Sequence, residues 1–230
     1  MTEETDLRRK VLKASLALIE AGGLDRLSMR EVARQAGVSH QAPYHHFGDR
    51  EAILAAIATE GFAMLRQDLV CALDKLAASR GNALEAVART YVDFALRHPG
   101  HFRVMFRSDA VPIENYPEAL GNADAAFGAL VQAIDHSFAG EPPEGRRTLA
   151  FACWAFTHGL ATLLLDGPLT RRSGVPKGRQ SELADKVIKT FAAHFSTGEA
   201  RPGRKDRSRH SGTRQALASR KGRSRHSGSP

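Results

Sequence analysis

Apolar residues recur along this chain at helical intervals, and no segment alternates apolar and polar residues as a half-buried strand would. Leu7, Val11, Ala14 and Leu18 stand at i, i+4, i+7 and i+11, and Leu12, Leu16 and Ile19 widen the stripe until Gly22 and Gly23 end it. The first helix is thus amphipathic. A second helix is predicted from Ser28: Glu31 lies three residues on, as a capping box requires, and Leu27 and Val32 occupy the two positions of a hydrophobic staple. Residues 29–36 then read as the supporting helix of a helix-turn-helix, with Ala33 small enough to let the next helix cross closely.

Residues 36–54 read AGVSHQAPYHHFGDREAIL. A turn through Gly37 ends the supporting helix, Ser39 is predicted to cap the next, and Phe47 with Gly48 closes it after eight residues. Pro43 lacks a backbone donor and crowds the carbonyl four residues back, but with Ser39 as cap that harm stays in the opening turn. So short a helix has little packing purpose of its own. His40, Gln41, Tyr44, His45 and His46 make it a polar probe, suited to a partner rich in hydrogen-bonding groups.

Longer helices are expected over 49–76, 82–97, 118–138, 144–165 and 181–195, with a short one over 101–107. Pro99 should stop the helix before it; 111–116 and the Gly/Pro/Arg-rich 167–178 read as loops. The predicted fold class is all-α. A three-helix helix-turn-helix domain occupies 1–48, a larger helical domain 49–198 and a basic Arg/Ser/Gly-rich tail 199–230.

Charge is concentrated at one end. Residues 199–230 hold ten Lys/Arg against Glu199 and Asp206, which accounts for the whole net charge of +8 and leaves the first 198 residues formally neutral. Attraction to a polyanion must therefore come from local geometry or from the tail. The tail has no aromatic residue and repeats RSRHSG at 207–212 and 223–228, a composition that predicts disorder. It reads either as a low-complexity extension or as a tether for non-specific polyanion binding.

Cys71 and Cys153, each among apolar neighbours, are expected to be reduced core thiols rather than a disulfide framework. MTEETDLRRK lacks the apolar run of a signal sequence. The most apolar region, 149–165, is interrupted by Thr157, His158 and Thr162 and is shorter than the ~20 residues of a membrane span. A soluble cytoplasmic protein with no membrane partner is the expectation.

The order of the first fifty residues is an amphipathic helix, then GGLDRLS, MREVARQAGVS and YHHFGDREAIL. It resembles the N-terminal domain of the tetracycline-repressor family of bacterial transcription factors, over about residues 7–58 and without a gap. That resemblance implies a homodimer that lays its third helix in the major groove of a double-stranded DNA operator with inverted half-sites. Position by position, it implies that His40, Gln41 and Arg30 read base edges. Tyr44, His46 and Arg50 take the places of phosphate contacts, helped by Ser28 at the positive end of the second helix, and Ser39 and His45 complete the DNA-facing set. Pro43 and His45 depart from the residues usual there, which bears on the target sequence.

In the C-terminal part, Tyr91, Phe94, Phe102, Met105 and Phe106 cluster in sequence, and Trp154 and His158 share a helix with Phe151 and Phe156. Such a set is either ordinary core or, as the resemblance implies, the lining of a cavity for a small-molecule effector. WAFTHGLATL, with Trp154, His158 and Gly159, also resembles a signature of one C-terminal subclass. No G-x-S-x-G, phosphate-binding glycine loop or H-E-x-x-H is present, and no cofactor or metal is expected. The expected function is a ligand-responsive DNA-binding regulator, more a repressor than an activator. The rivals are a helical small-molecule binding protein or an enzyme, either with a vestigial reading domain.

Overall fold

In the computed structural model, which describes residues 3–77, 82–176 and 178–196, helix α1 (Glu3–Gly22) buries the predicted stripe, with Val11, Leu12, Ala14 and Ile19 sealed from solvent. A 3-10 turn at Leu24–Arg26 leads to α2 (Met29–Ala36). Ser28 caps α2, its hydroxyl accepting from the Glu31 amide at 3.2 Å. Only half the capping box closes, because the Glu31 carboxylate turns to Arg34 instead. Leu27 and Val32 are both buried, as a staple requires. Gly37 ends α2 at φ 67°, a left-handed conformation that L side chains resist, and Val38 donates back to the Ala33 carbonyl at 3.1 Å.

Helix α3 (Ala42–Phe47) is shorter than predicted, and Ser39 does not cap it. The Ser39 carbonyl instead accepts from Ala42 at 3.0 Å in a preceding turn, while Gln41 takes the cap position without a side-chain bond. Pro43 is the reason. A helix beginning at His40 would need the donor that proline lacks, so regular structure starts only where Pro43 falls within the first turn.

The central element is α4 (Arg50–Ala77), whose Ile53, Leu54, Ile57, Phe62, Leu65 and Leu69 are buried against the surrounding helices. Around it stand α5 (Ala83–Arg97), α6 (Pro99–Met105) and α7 (Pro117–Ser137). Asn82 caps α5, accepting from the Leu84 and Glu85 amides at 3.0 and 3.1 Å. Pro99 opens α6 in its first turn, so the helical chain resumes at the residue expected only to halt it. The 111–116 segment holds a 3-10 turn at Ile113–Asn115.

Helix α8 (Pro143–Leu165) packs on α5 and α7. The predicted loop 167–178 contains a further helix, α9 (Pro168–Ser173), set between left-handed Gly167 and Gly174. α10 (Gln180–Ser196) follows. No strand occurs among the described residues. The tail 199–230 lies outside them. The described residues up to Phe195 pack as one body, because α4 contributes to the core of both the helix-turn-helix and the larger helical part.

The cysteines differ from expectation. Cys153 is buried, and burial pushes its thiol up to about 11. Cys71 is exposed, since it lies on the outward face of α4 beside Gln67, whose amide reaches its Sγ at 3.2 Å. Helix α8 is long and apolar, yet much of its surface, Phe151, Trp154 and Leu163 included, is exposed.

Candidate nucleic-acid interface and the cavity behind it

Helix α3 is held by its ends and by Pro43, which is buried, so its other side is free. Ser39, His40, Gln41, Tyr44 and His45 are exposed, and His46 is half-buried. The rings of His40 and Tyr44, one turn apart, lie 5.8 Å centroid to centroid. Phe47 turns inward, with the Arg8 guanidinium 5.6 Å from its ring centre. Gly48 closes the helix at φ 80°, its amide donating to the Tyr44 carbonyl at 2.9 Å. Arg30 on α2 is exposed, as is Ser28. Six of the nine predicted DNA-facing residues thus share one short segment, with Arg30 and Ser28 on the supporting helix.

Arg50 is placed differently. Its Nε donates to the Leu27 carbonyl at 2.9 Å and a terminal nitrogen donates to the Leu24 carbonyl at 2.9 Å. The guanidinium therefore bridges the first turn of α4 to the segment that launches α2. This geometry braces the reading head from within, a role its sequence position does not disclose.

A cavity of about 420 Å³ opens among α4, α5, α6, α7, α8 and the 111–116 segment. Of the predicted ligand-contacting residues, Tyr91, Met105, Phe106 and Trp154 line it. Phe94 does not: it is wholly buried in the core. Phe102 and His158 sit behind the wall, where they and Phe106 line a separate recess of about 170 Å³. A helix places successive side chains about 100° apart, so residues clustered in sequence are dealt to different faces.

His158 still acts on the cavity through Tyr91, whose hydroxyl lies 3.0 Å from its Nδ1. Burial raises the Tyr91 phenol well above its ordinary value and lowers the His158 imidazole below its own, so both stay neutral and hydrogen-bonded. Phe102 stacks on the His158 ring at 5.3 Å and Phe106 meets it edge-on at 4.7 Å. His158 thereby fixes Phe102 of α6, Phe106 at the cap of that helix and the phenol of α5 in one cluster.

Sequence reasoning missed the opposite wall. Phe62 and Leu65 come from α4 and Phe127 from α7, with Glu114 and Asp124 at the rim; Phe151 of α8, grouped with Trp154 from the sequence, also lines the cavity. The i, i+3, i+4, i+7 pattern of Leu120, Ala123, Asp124 and Phe127 in α7 was the available signal. A wider and more polar groove of about 1030 Å³ runs along α4 and α5. Its arginines are already engaged, Arg89 with Glu85 and Asp185, and Arg97 with Asp68. It offers a solvated trough rather than a convergent site.

Two contacts join the cavity to the head. Tyr116, which ends the segment contributing Val111, Ile113 and Glu114 to the wall, donates its hydroxyl to Glu51 Oε1 at 2.9 Å. Glu51 lies in the first turn of α4, beside Arg50. On the other side, α6 carries Met105 and Phe106 into the wall and presses Gly100 against Leu16 and Glu20 of α1, so closely that a Cβ would come within 3.1 Å of both.

Comparison with known proteins places these features. Residues 11–57 match the family described as bacterial regulatory proteins, tetR family, and residues 84–191 match the tetracyclin repressor-like C-terminal domain. A Rhodococcus sp. RHA1 protein described as of unknown function is 32% identical, over 84% of this chain and 94% of its own, with a TM-score of 0.68. A bacterial regulatory protein in the tetR family from Rhodococcus RHA1 superposes with a TM-score of 0.63 at 16% identity, over 84% and 97% of the two chains. The TetR family transcriptional regulator PfmR from Thermus thermophilus gives 0.59 at 19% identity, over 80% and 95%.

Proposed function

The chain belongs to the tetracycline-repressor family of DNA-binding transcriptional regulators, and from that premise we propose that it is a homodimeric repressor released from an inverted-repeat operator by a small molecule. His40 and Gln41, with Arg30, read base edges; Tyr44 and His46 hold phosphates; the Ser28 end of α2 adds its dipole. Arg50 serves the same interface from inside, as a brace.

The wiring of the cavity to the head supports the effector half of the proposal. The cavity wall and the head share α6 and the 111–116 segment, through Gly100 against α1 and Tyr116 on Glu51. A ligand that fits the cavity better in one arrangement of these elements biases the spacing of the two reading helices, and only that difference in affinity shifts operator binding. Helix α4 is the lever common to both.

A second copy accounts for the exposed face of α8. Ala152, Ala155 and Leu163 are exposed there and Phe156 and Gly159 half-buried, at intervals that put them on one side of the helix. On α10, Leu183, Val187 and Phe191 continue that side, with Phe191 stacked on Phe156 at 3.7 Å. Two such helix pairs form a four-helix bundle. The resemblance of the segment around Trp154, His158 and Gly159 to the signature of one C-terminal subclass supports membership of that subclass.

Gel-shift titration with DNA flanking the chain's own gene is the primary test. A salt-sensitive, sequence-selective complex of one dimer per operator is expected, and its absence on every fragment would overturn the proposal. Light scattering on the free protein should give twice the 25.0 kDa chain mass.

A further inference from the structure

The cavity wall has a chemical bias. Among its lining residues are six aromatic rings and two carboxylates, and none is Lys, Arg or His. Glu114 and Asp124 are exposed at the rim, and neither has an ion-pair partner among the described residues. Asp124 and Phe127 lie one turn apart on α7, so carboxylate and ring share a face. Phe127 stacks on Phe151 at 5.7 Å and meets the edge of Trp154 at 5.6 Å. Phe151 already holds a cation: the Arg147 guanidinium lies over its ring, 5.7 Å from the centroid, and Arg147 is not among the cavity's lining residues.

These observations select by charge. Aromatic faces are electronegative and attract an ammonium, more strongly where water is excluded. The two rim carboxylates add to that attraction. An anionic ligand would lose its hydration with no opposite charge in the wall and two like charges at the entrance.

Resting on the effector role assigned above, we propose that the cavity takes a hydrophobic cation, a compact ring-bearing ammonium, rather than a carboxylate or phosphate ester. The ring system fills the space between Phe62, Phe106 and Leu130, and the ammonium sits toward Phe127, Asp124 and Glu114. At about 420 Å³ the cavity falls within the range of about 300–1,000 Å³ usual for small-ligand sites.

The chain has a single tryptophan, and Trp154 lines the cavity, so intrinsic fluorescence reports occupancy of this site directly. The full-length protein is titrated with three probes on one carbon skeleton: 4-phenylbutyl-trimethylammonium, 4-phenylbutanol and 4-phenylbutanoate, then with the same three heads on a naphthyl body. The ammonium should bind about tenfold tighter than the alcohol, and the carboxylate weakest. Asp124→Asn combined with Glu114→Gln should remove most of that advantage and leave the alcohol unchanged. Both positions are exposed, so the fold is not at risk.

Carboxylate binding equal to or tighter than ammonium binding, or an undiminished preference in the double variant, would overturn the charge inference while leaving an effector cavity in place. Silence of Trp154 toward all six probes at millimolar concentration, in protein that still shifts its operator, would reject the effector cavity as well.

Discussion

Arg50 gives the sharpest division between two roles for one residue. Its guanidinium spans the Leu24 and Leu27 carbonyls, both at 2.9 Å. A hydrogen bond from a charged donor contributes about 1.5–3 kcal/mol, and because this group is half-exposed the lower figure applies, so Arg50→Ala should cost ~3 kcal/mol. For a chain of this size that corresponds to a Tm lowered by roughly 6–12 °C. Arg50→Lys keeps the charge but cannot fork between two acceptors, and should recover at most half of the loss. Circular-dichroism melts are paired with anisotropy titrations on operator DNA at several salt concentrations. As a brace, Arg50 loses stability and operator affinity together in both variants, with the slope of log K against log salt unchanged. A direct phosphate contact behaves differently: Lys restores affinity, and Ala reduces the slope by about 0.9. A stable Arg50→Ala protein with the reduced slope would refute the brace.

Gln41→Ala should weaken the specific site by about 1–3 kcal/mol while leaving the salt slope intact, and equal loss on random DNA in the same gel shifts would remove Gln41 from the readers. Tyr116→Phe deletes the hydroxyl that meets Glu51 and should leave operator affinity within a few-fold, yet blunt its release by ligand; unimpaired release would show that this contact carries no coupling. At Gly61 an added Cβ would stand 2.6 Å from Met105 Sδ, so Gly61→Ala should push that flexible side chain toward the cavity. Overpacking of about 1–3 kcal/mol is partly offset by about 1 kcal/mol of helix propensity, so stability in urea titrations should fall by no more than about 2 kcal/mol while ligand affinity drops; unchanged ligand affinity would count against the displacement. Burial lowers His158 below its ordinary 6.5. Above that pH both folded and unfolded states are neutral there, whereas below it the unfolded chain takes the proton first, so stability falls as pH drops through the window under 6.5. His158→Gln should flatten part of that fall in urea titrations at pH 7 and 5.5, with His98, which shifts in the same direction, contributing to what remains; an identical fall in the variant would clear His158.

Much of the reading head was legible because its signals are local. Ser28 with Glu31, Leu27 with Val32, and Gly37 each specify a conformation within a few residues, and α2 begins and ends where they direct. Ser39 failed as a cap because a competing local rule, the missing donor of Pro43, won. Pro99 and α9 show the opposite error: proline and glycine were read as stops, and each also bounds a new helix.

The cavity was half legible, for a physical reason. Periodicity says that a residue faces inward but not which of several inward neighbours it meets. Phe94 and Tyr91, three apart on α5, divide between sealed core and cavity wall, and His158 stands behind the wall as the partner of Tyr91. Asp124, Glu114 and Tyr116 drew no notice, because an exposed carboxylate or a loop tyrosine is ordinary until another element is brought opposite it.

What the chain's sequence determines by itself is its helical class, the helix-turn-helix with its exposed polar face, the family and the confinement of net charge to residues 199–230. Each rests on short-range sterics, capping or simple composition. Only the tertiary structure turns Arg50 inward, separates cavity wall from core, and ties Tyr116 to Glu51. Those outcomes depend on pairs of residues such as Tyr116 and Glu51, 65 positions apart, and Tyr91 and His158, 67 apart, and such pairing is set by how whole helices pack, which no local pattern encodes.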